Sequence, residues 1–429
     1  MSEESGGPIM TFEESHTFRS YWQTTAPHVP LSTDLPPRAE VAIIGGGIMG
    51  VAMAYWLAKA GVEVCLLEQT ALASGATGRN GGFVAIGHAQ AYPTACRRLG
   101  KETAQALLRF TLANQALLRQ VVAEEQITCE YRTTGGVHLV TDEQHWSLLS
   151  QEATLLRAEG VQATMFDSKQ LQERINTPLS PEILGGRWLN EDSVWHPLHF
   201  LSGLLHAAQR SGARAYHAKV ERLALDQGHP LLHTSRGPLR AGTVIVATNA
   251  WIHELLPQYR DLVIPVRGQM LSYAPMPDVF PGAMSASLSS TEEYWQQRAD
   301  GTFLLGGCRD VAPNADRQVM QSIPTPEVQT ALEGVFPRLF PHLKPLRVQQ
   351  RWAGLMAFTP DLLPIADQVA DLPGVWVVGG FSGHGMPFSM QLSQLLAEAI
   401  TTGRSPSGLD FFRQDRPTLR TVSGDTEAI

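Results

Sequence analysis

The apolar run Val41-Ala-Ile-Ile44 breaks into Gly45-Gly-Gly47, and the helix-forming run Val51-Ala-Met-Ala-Tyr-Trp-Leu-Ala-Lys59 begins just after Gly50. Gly45, Gly47 and Gly50 match G-x-G-x-x-G in the context that gives the pattern meaning, strand then turn then helix. Gly45 permits the tight turn, Gly47 lets a pyrophosphate approach the backbone, and Gly50 lets helix and strand pack closely. The helix end at Ile48 and Met49 then offers N–H groups and a positive dipole end to phosphates. Gly61 ends the helix, and Val62-Glu-Val-Cys-Leu-Leu67 reads as the next parallel strand. Glu68, followed by Gln69, closes that strand where a carboxylate accepts from both hydroxyls of an adenosine ribose and disfavours a 2′-phosphate. A glycine-rich turn in an ordinary strand–helix–strand unit would share the three glycines. The aligned second strand and terminal acid select dinucleotide binding, with NADP disfavoured.

At 429 residues the chain has room for two or three domains. With 43% hydrophobic and 17% charged residues it is globular. A net charge of −8 without a basic block argues against a nucleic-acid partner. Cys65, Cys96, Cys129 and Cys308 are too far apart for a zinc pattern and suit a reducing compartment. His138, His145, His206 and His217 lack metal-ligand spacing, so no metal is expected. Glu3, Glu4, Glu13 and Glu14 replace the basic region of a secretory signal, and no apolar run reaches membrane-spanning length. The expectation is a soluble cytoplasmic protein without a membrane span.

Residues 1–37 read as an extended arm, because Pro27, Pro30, Pro36 and Pro37 oppose helix. Helices are expected over 101–126, 142–159, 169–175, 198–210 and 388–402, and one strand over 213–225. Residues 239–248 read as a short strand pair. Val375-Trp-Val-Val378 is a second buried strand that breaks into glycines, Gly379-Gly-Phe-Ser-Gly-His-Gly385, before a helix. Ligands in open α/β sheets sit at such strand ends.

Ser74-Gly-Ala-Thr-Gly-Arg-Asn-Gly-Gly82, Val244-Ile-Val-Ala-Thr-Asn-Ala-Trp251 and the 379–385 segment complete a pattern. Together with the opening motif they resemble the FAD-dependent D-amino acid oxidase superfamily over about residues 18–403. The pattern is most similar to that of the gamma-glutamylputrescine oxidases, through 78–82, Tyr131-Arg132 with Gly135-Gly136, Arg351-Trp352-Ala-Gly354 and 381–385. The resemblance implies an α/β plus α+β fold: a Rossmann-like FAD-binding domain with an inserted mixed-sheet substrate domain. The FAD-binding domain would comprise 38–100, 190–260 and 346–410, and the substrate domain 101–189 and 261–345, leaving 411–429 as a tail.

The resemblance also implies roles. Gly45, Gly47, Ile48, Met49 and Gly50 would hold the pyrophosphate, and Glu68 with Gln69 the adenosine ribose. Thr77, Gly78, Arg79, Asn80, Gly81 and Gly82 would run along the flavin. Val220 would meet the adenine through its backbone, and Thr248 the cofactor, with Asn249 where glycine is usual. Gly380, Phe381, Ser382, Gly383, His384, Gly385 and Met386 would meet the pyrimidine edge of the ring, where N–H donors and a helix end stabilise negative charge. Arg79, His384 and Arg351 are the catalytic candidates; His384 could equally hold the glycine turn, and Arg351 could form a structural ion pair. Tyr294, Met356 and Arg267 are the substrate-pocket candidates.

Departures from the family pattern matter as much. Gly354 aligns with a cysteine that links flavin covalently in sarcosine oxidase-like members, so non-covalent FAD is expected. Met356 stands where an arginine grips the substrate α-carboxylate, and Pro387 and Leu304 replace lysines. An arginine–carboxylate fork is not replaced by methionine. Simple α-amino acids are therefore disfavoured, unless a carboxylate meets Arg267, Arg309 or Arg351. The expected reaction is oxidative deamination of a small-molecule amine, with oxygen as acceptor and H2O2 as product. The alternatives are a dehydrogenase that passes electrons to a quinone or carrier, a flavin hydroxylase, and a non-catalytic FAD-binding subunit.

Overall fold

A computed structural model describes residues 18–420; the N-terminal acids and the end of the tail lie outside the described residues. Arg38–Ile44 runs parallel to Val64–Glu68 on one side and to Gly237–Val246 on the other. Arg214–His217 and Val375–Gly379 extend this parallel sheet at its two ends. Its central strands are apolar runs because both faces are covered. Ile48–Lys59, Pro197–Arg210 and Ser389–Thr402 pack together on one face, burying Val51, Leu204, Leu396 and their neighbours. Leu232, Leu239, Ile252 and Tyr259 belong to the core on the other.

Two local expectations are corrected here. Residues 213–225 form two strands, Arg214–His217 and Val220–Asp226, because the chain leaves the parallel sheet at Ala218 to enter a hairpin. Residues 237–246 form one long strand rather than a pair. Gly242 makes no turn in it; a Cβ there would lie 2.9 Å from the Glu40 carbonyl oxygen, so the glycine serves close strand approach.

The second sheet has eight strands in the order Val348–Phe358, Ile264–Tyr273, Phe303–Gly306, Glu293–Gln297, Ala283–Ala286, Gly136–Val140, Gly185–Leu189, Ala163–Asp167. All neighbours are antiparallel except Ala283–Ala286 with Gly136–Val140. Val348–Phe358, grouped by sequence with the FAD-binding segments, pairs along its length with Ile264–Tyr273 in this sheet. Helix Pro326–Leu339 packs on it through Val328, Leu332 and Phe336, which share a core with Trp295 and Phe303.

The arm is not wholly extended. Ser20 caps a short helix, Tyr21–Thr25, in a reciprocal capping box with Gln23, and Trp22 is fully buried. The start of the tail also packs inward: Arg416 forms a buried two-pronged pair with Asp361 at 2.6 and 2.8 Å. Among the described residues no helix is long and apolar enough to cross a membrane.

Candidate active site

The turn after Arg38–Ile44 needs its glycines. Gly45 has φ +113°, and a Cβ there would lie 2.7 Å from the Ala247 carbonyl oxygen; a Cβ at Gly50 would collide with the Gly45 carbonyl oxygen. Gly47 is the N-cap of helix Ile48–Lys59 and supplies no side-chain cap. Thr77 Oγ1 accepts from the Ile48 N–H at 3.0 Å. Glu68 is held by this turn, accepting from the Gly46 N–H at 2.8 Å and from the Thr70 N–H and hydroxyl at 2.8 and 2.9 Å. A carboxylate so fixed keeps lone pairs for a ligand.

From this helix end a single cavity of about 1080 Å³ runs between the two sheets. That is at the upper end for small-molecule sites, enough for a large cofactor together with a substrate. Gly45, Gly47, Ile48, Met49, Glu68, Gln69, Val220 and Thr248 line one part. Thr77, Arg79, Asn80, Gly81, Phe381, Ser382, Gly383, His384, Gly385, Met386, Tyr294 and Met356 line the rest. Gly50, Gly78, Gly82 and Gly380 do not line it. They are glycines for packing: a Cβ at Gly82 would strike Trp22 and Gln296, and one at Gly78 the Ala73 carbonyl.

The 76–82 loop is held by distant side chains. Arg79 donates to the carbonyls of Ser74 (2.9 Å), Ala353 (2.8 Å) and Phe18 (3.3 Å), with no carboxylate partner among the described residues. Burial pulls its pKa down. Trp352 Nε1 donates to the Arg79 carbonyl at 3.0 Å, and Trp22 Nε1 to that of Asn80 at 2.6 Å. Asn80 is occupied within the loop, donating to the Ala76 and Thr77 carbonyls and accepting from the Gly82 N–H. Gln296 Nε2 donates to the Gly81 carbonyl.

At the second glycine element, Asn249 has φ +49° and its Oδ1 accepts from the Gly380 N–H at 3.0 Å. Asparagine thus substitutes for glycine in the left-handed region and ties the two strand ends together. The following helix, Ser389–Thr402, starts only after several further residues, and its first-turn donors are not open. Asn114 Oδ1 accepts from the Met390 and Gln391 N–H groups at 2.9 and 3.0 Å, while its Nδ2 donates to the Met386 carbonyl at 3.0 Å. The Gly383, Gly385 and Met386 N–H groups have no protein acceptor among the described residues. The expected helix-end contact is therefore replaced by loop N–H groups.

His384 lines the cavity, with one long contact from Nδ1 to the Ser382 carbonyl at 3.4 Å, and burial lowers its pKa. His88 faces the same space; burial brings its pKa down to about 4, and its Nε2 has no protein partner among the described residues. Tyr294 packs edge-on to Phe83, and burial raises its phenol to about 12.

Two candidates are corrected. Arg351 is off the cavity, paired with Glu333 at 2.7 Å and Gln329 at 3.0 Å on helix Pro326–Leu339. Arg267 is buried and spent on Asp316, through Nε at 2.9 Å and Nη2 at 2.7 Å. Side chains in a strand alternate faces, and both arginines fall on the face away from the cavity wall formed by Gly268, Gly354 and Met356. Sequence reasoning missed Trp22, Asn114, Gln296 and His88. Trp22, Asn114 and Gln296 come from segments far along the chain from the glycine-rich loops they hold, and His88 follows one such loop without belonging to its pattern.

The fit to a dinucleotide rests on three observations: a helix end on the cavity whose N-cap glycine supplies no side chain, a glycine turn that a Cβ would fill, and a buried Thr248 Oγ1 at the wall without a protein partner among the described residues. Comparison with known proteins agrees. Residues 40–399 match the model of the FAD dependent oxidoreductase family. Probable oxidoreductase OrdL of Rhizobium meliloti is 26% identical over 413 residues, covering 92% of this chain and 90% of that protein. Gamma-glutamylputrescine oxidoreductase of Escherichia coli is 24% identical over 393 residues, covering 90% and 89%. L-proline dehydrogenase from P. horikoshii shares the fold, with a TM-score of 0.76 at 23% identity over 88% of this chain and 97% of that one. The chain belongs to the FAD-dependent oxidoreductases of the D-amino acid oxidase family.

Proposed function

We propose that this enzyme oxidises the carbon–nitrogen bond of an amine, giving an imine that water hydrolyses to a carbonyl compound. One observation carries the reading: the cavity lined by the helix end at Gly47–Met49 is the same one lined by Arg79–Gly81 and by Tyr294, Met356, Phe358 and His384. When bound, FAD supplies the two-electron acceptor. The cofactor is held without a covalent link; none of the four cysteines lines the cavity, and Gly354 packs on Arg79 where a linking cysteine would stand.

The chain's own part is to orient, dry and tune the site. A neutral amine is needed to release a hydride equivalent, and walls of Met356, Phe358 and Tyr294 disfavour its protonated form. His384 and His88, both held neutral by burial, add no charge to the walls and so offer no counter-charge that would favour a protonated substrate. The free N–H groups of Gly383, Gly385 and Met386 suit charge developing on the ring's pyrimidine edge. Arg79, locked to three carbonyls, positions the loop and places a fixed positive charge beside it.

Oxygen is the proposed final acceptor. Leu304, fully buried in strand Phe303–Gly306, offers no charge for oxygen activation and favours a carrier as the second reading. Anaerobic mixing of the holoenzyme with a panel of amines tests the function. Bleaching of the flavin by an amine supports it; bleaching only by NADPH, or by no amine, overturns it. Peroxide yield on admitting air then separates oxygen from a carrier.

A further inference from the structure

Three arginines were open to a substrate carboxylate, and the fold removes two of them. Arg267 is spent on Asp316 and Arg351 on Glu333. Arg309 remains, just after strand Phe303–Gly306 and on the cavity wall. Its one protein acceptor among the described residues is the Ala315 carbonyl, at 3.3 Å from Nη1. Its guanidinium lies 5.2 Å from the centroid of the Phe358 ring, which limits rotation of the fork. The acids nearest in sequence are occupied: Asp310 accepts from the Ser290 N–H and hydroxyl, and Asp316 is gripped by Arg267. Burial, with the like charge of Arg317, lowers the pKa of Arg309, while Asp310 and Asp316 oppose the shift from a distance without pairing with it.

The position of Arg309 carries chemical information. Met356 and Phe358 are two residues apart on one strand, about 7 Å, and both line the cavity; Arg309 stands against Phe358, the one farther from Gly354. Gly354, on the other side of Met356, packs against Arg79 in the flavin loop. The ring that Arg309 faces thus stands one strand repeat beyond Met356, on the side away from Gly354.

We propose that Arg309 binds the carboxylate of the substrate, and that this carboxylate is separated from the oxidised carbon by intervening bonds rather than attached to it. The proposal rests on the amine-oxidation reading above. A planar guanidinium forks onto a carboxylate with two N–H···O bonds, and its stacking on Phe358 orients that fork.

The test uses the FAD-loaded enzyme and matched probes: glycine, 3-aminopropanoate, 4-aminobutanoate and 5-aminopentanoate, each beside its neutral carboxamide. Flavin absorbance changes report binding, and anaerobic bleaching reports oxidation. At least one of the longer acids is expected to bind about 30-fold or more tighter than its amide, with glycine showing no such preference. Arg309→Met should collapse that ratio towards one, chiefly in KM, and Arg309→Lys should leave an intermediate ratio. Retained FAD absorbance and Tm identify folded variants. Equal binding of every acid and its amide by the unaltered enzyme overturns the proposal, and so does a ratio that survives in Arg309→Met. If Arg309→Met does not fold, the unaltered enzyme and Arg309→Lys decide. Bleaching by the amides would leave amine oxidation standing even as the carboxylate site fell.

Discussion

Gly45–Gly50 and Gly379–Gly385 look alike in sequence, each a buried strand breaking into glycines ahead of a helix, yet they present their donors differently. In the first, helix Ile48–Lys59 starts at once, and its end faces the cavity with no side-chain cap from Gly47. In the second, helix Ser389–Thr402 starts later and Asn114 closes its end, so the loop itself carries the free N–H groups. The helix end suits phosphate, a compact anion. The loop suits the edge of a flat ring, which needs donors spread along a line. Where the helix begins, rather than the glycine count, sets which kind of site results.

Several substitutions can break or sharpen this contrast. Gly50→Ala should do most: a Cβ there meets the Gly45 carbonyl oxygen, so purified protein is expected to lack bound FAD or to be insoluble. Flavin absorbance per mole of protein is the measurement, and normal FAD content would mean that the turn tolerates helix displacement. Asn114→Ala should come next, at about 2 kcal/mol of stability, because the buried Met390 N–H and the half-buried Gln391 N–H lose their acceptor. Denaturant unfolding of the holoprotein would show it. Asn249→Ala should cost about 2 kcal/mol, from the lost bond to Gly380 and the left-handed backbone. Asn249→Gly should cost only about 1 kcal/mol, and an equal loss in both would refute the backbone part. Thr77→Val removes the single acceptor at the first helix end and should cost about 1 kcal/mol.

The smallest expected effect concerns pH. His88, beside the second element, has a pKa of about 4 against an ordinary 6.5. Between those values the unfolded chain binds a proton that the folded chain refuses, so stability falls as pH drops from 6.5 towards 4. Asp192, raised to about 6 by burial, acts in the opposite sense and partly offsets this. His88→Gln should flatten the acid-side fall in Tm by a few degrees.

The parallel strands, the opening turn and the later helices were legible because each is a local pattern: apolar runs, glycine breaks and caps. Gly61, with φ +84° just past the end of helix Ile48–Lys59, is of that kind. What failed were judgements that need a neighbour. Leu239–Thr248 looked like two strands because Gly242 reads as a turn, when it only makes room for Glu40. Trp22 looked like part of an extended arm because the reason for burying it, Gly82 and the Asn80 carbonyl, lies near residue 80.

By itself the sequence determined that the chain has the turn of a dinucleotide-binding unit, which glycine segments line the cavity, and that methionine stands at 356 where the resemblance expects an arginine. Those conclusions rest on backbone geometry that only glycine permits and on a residue type that cannot form a fork. Only the tertiary structure decided the use of each charge. Arg79 fixes a loop, Arg267 and Arg351 neutralise acids behind the sheet, and Arg309 on the cavity wall forms no ion pair among the described residues. Strand alternation sets which face an arginine takes, but its partner comes from another element, and no local pattern records that pairing.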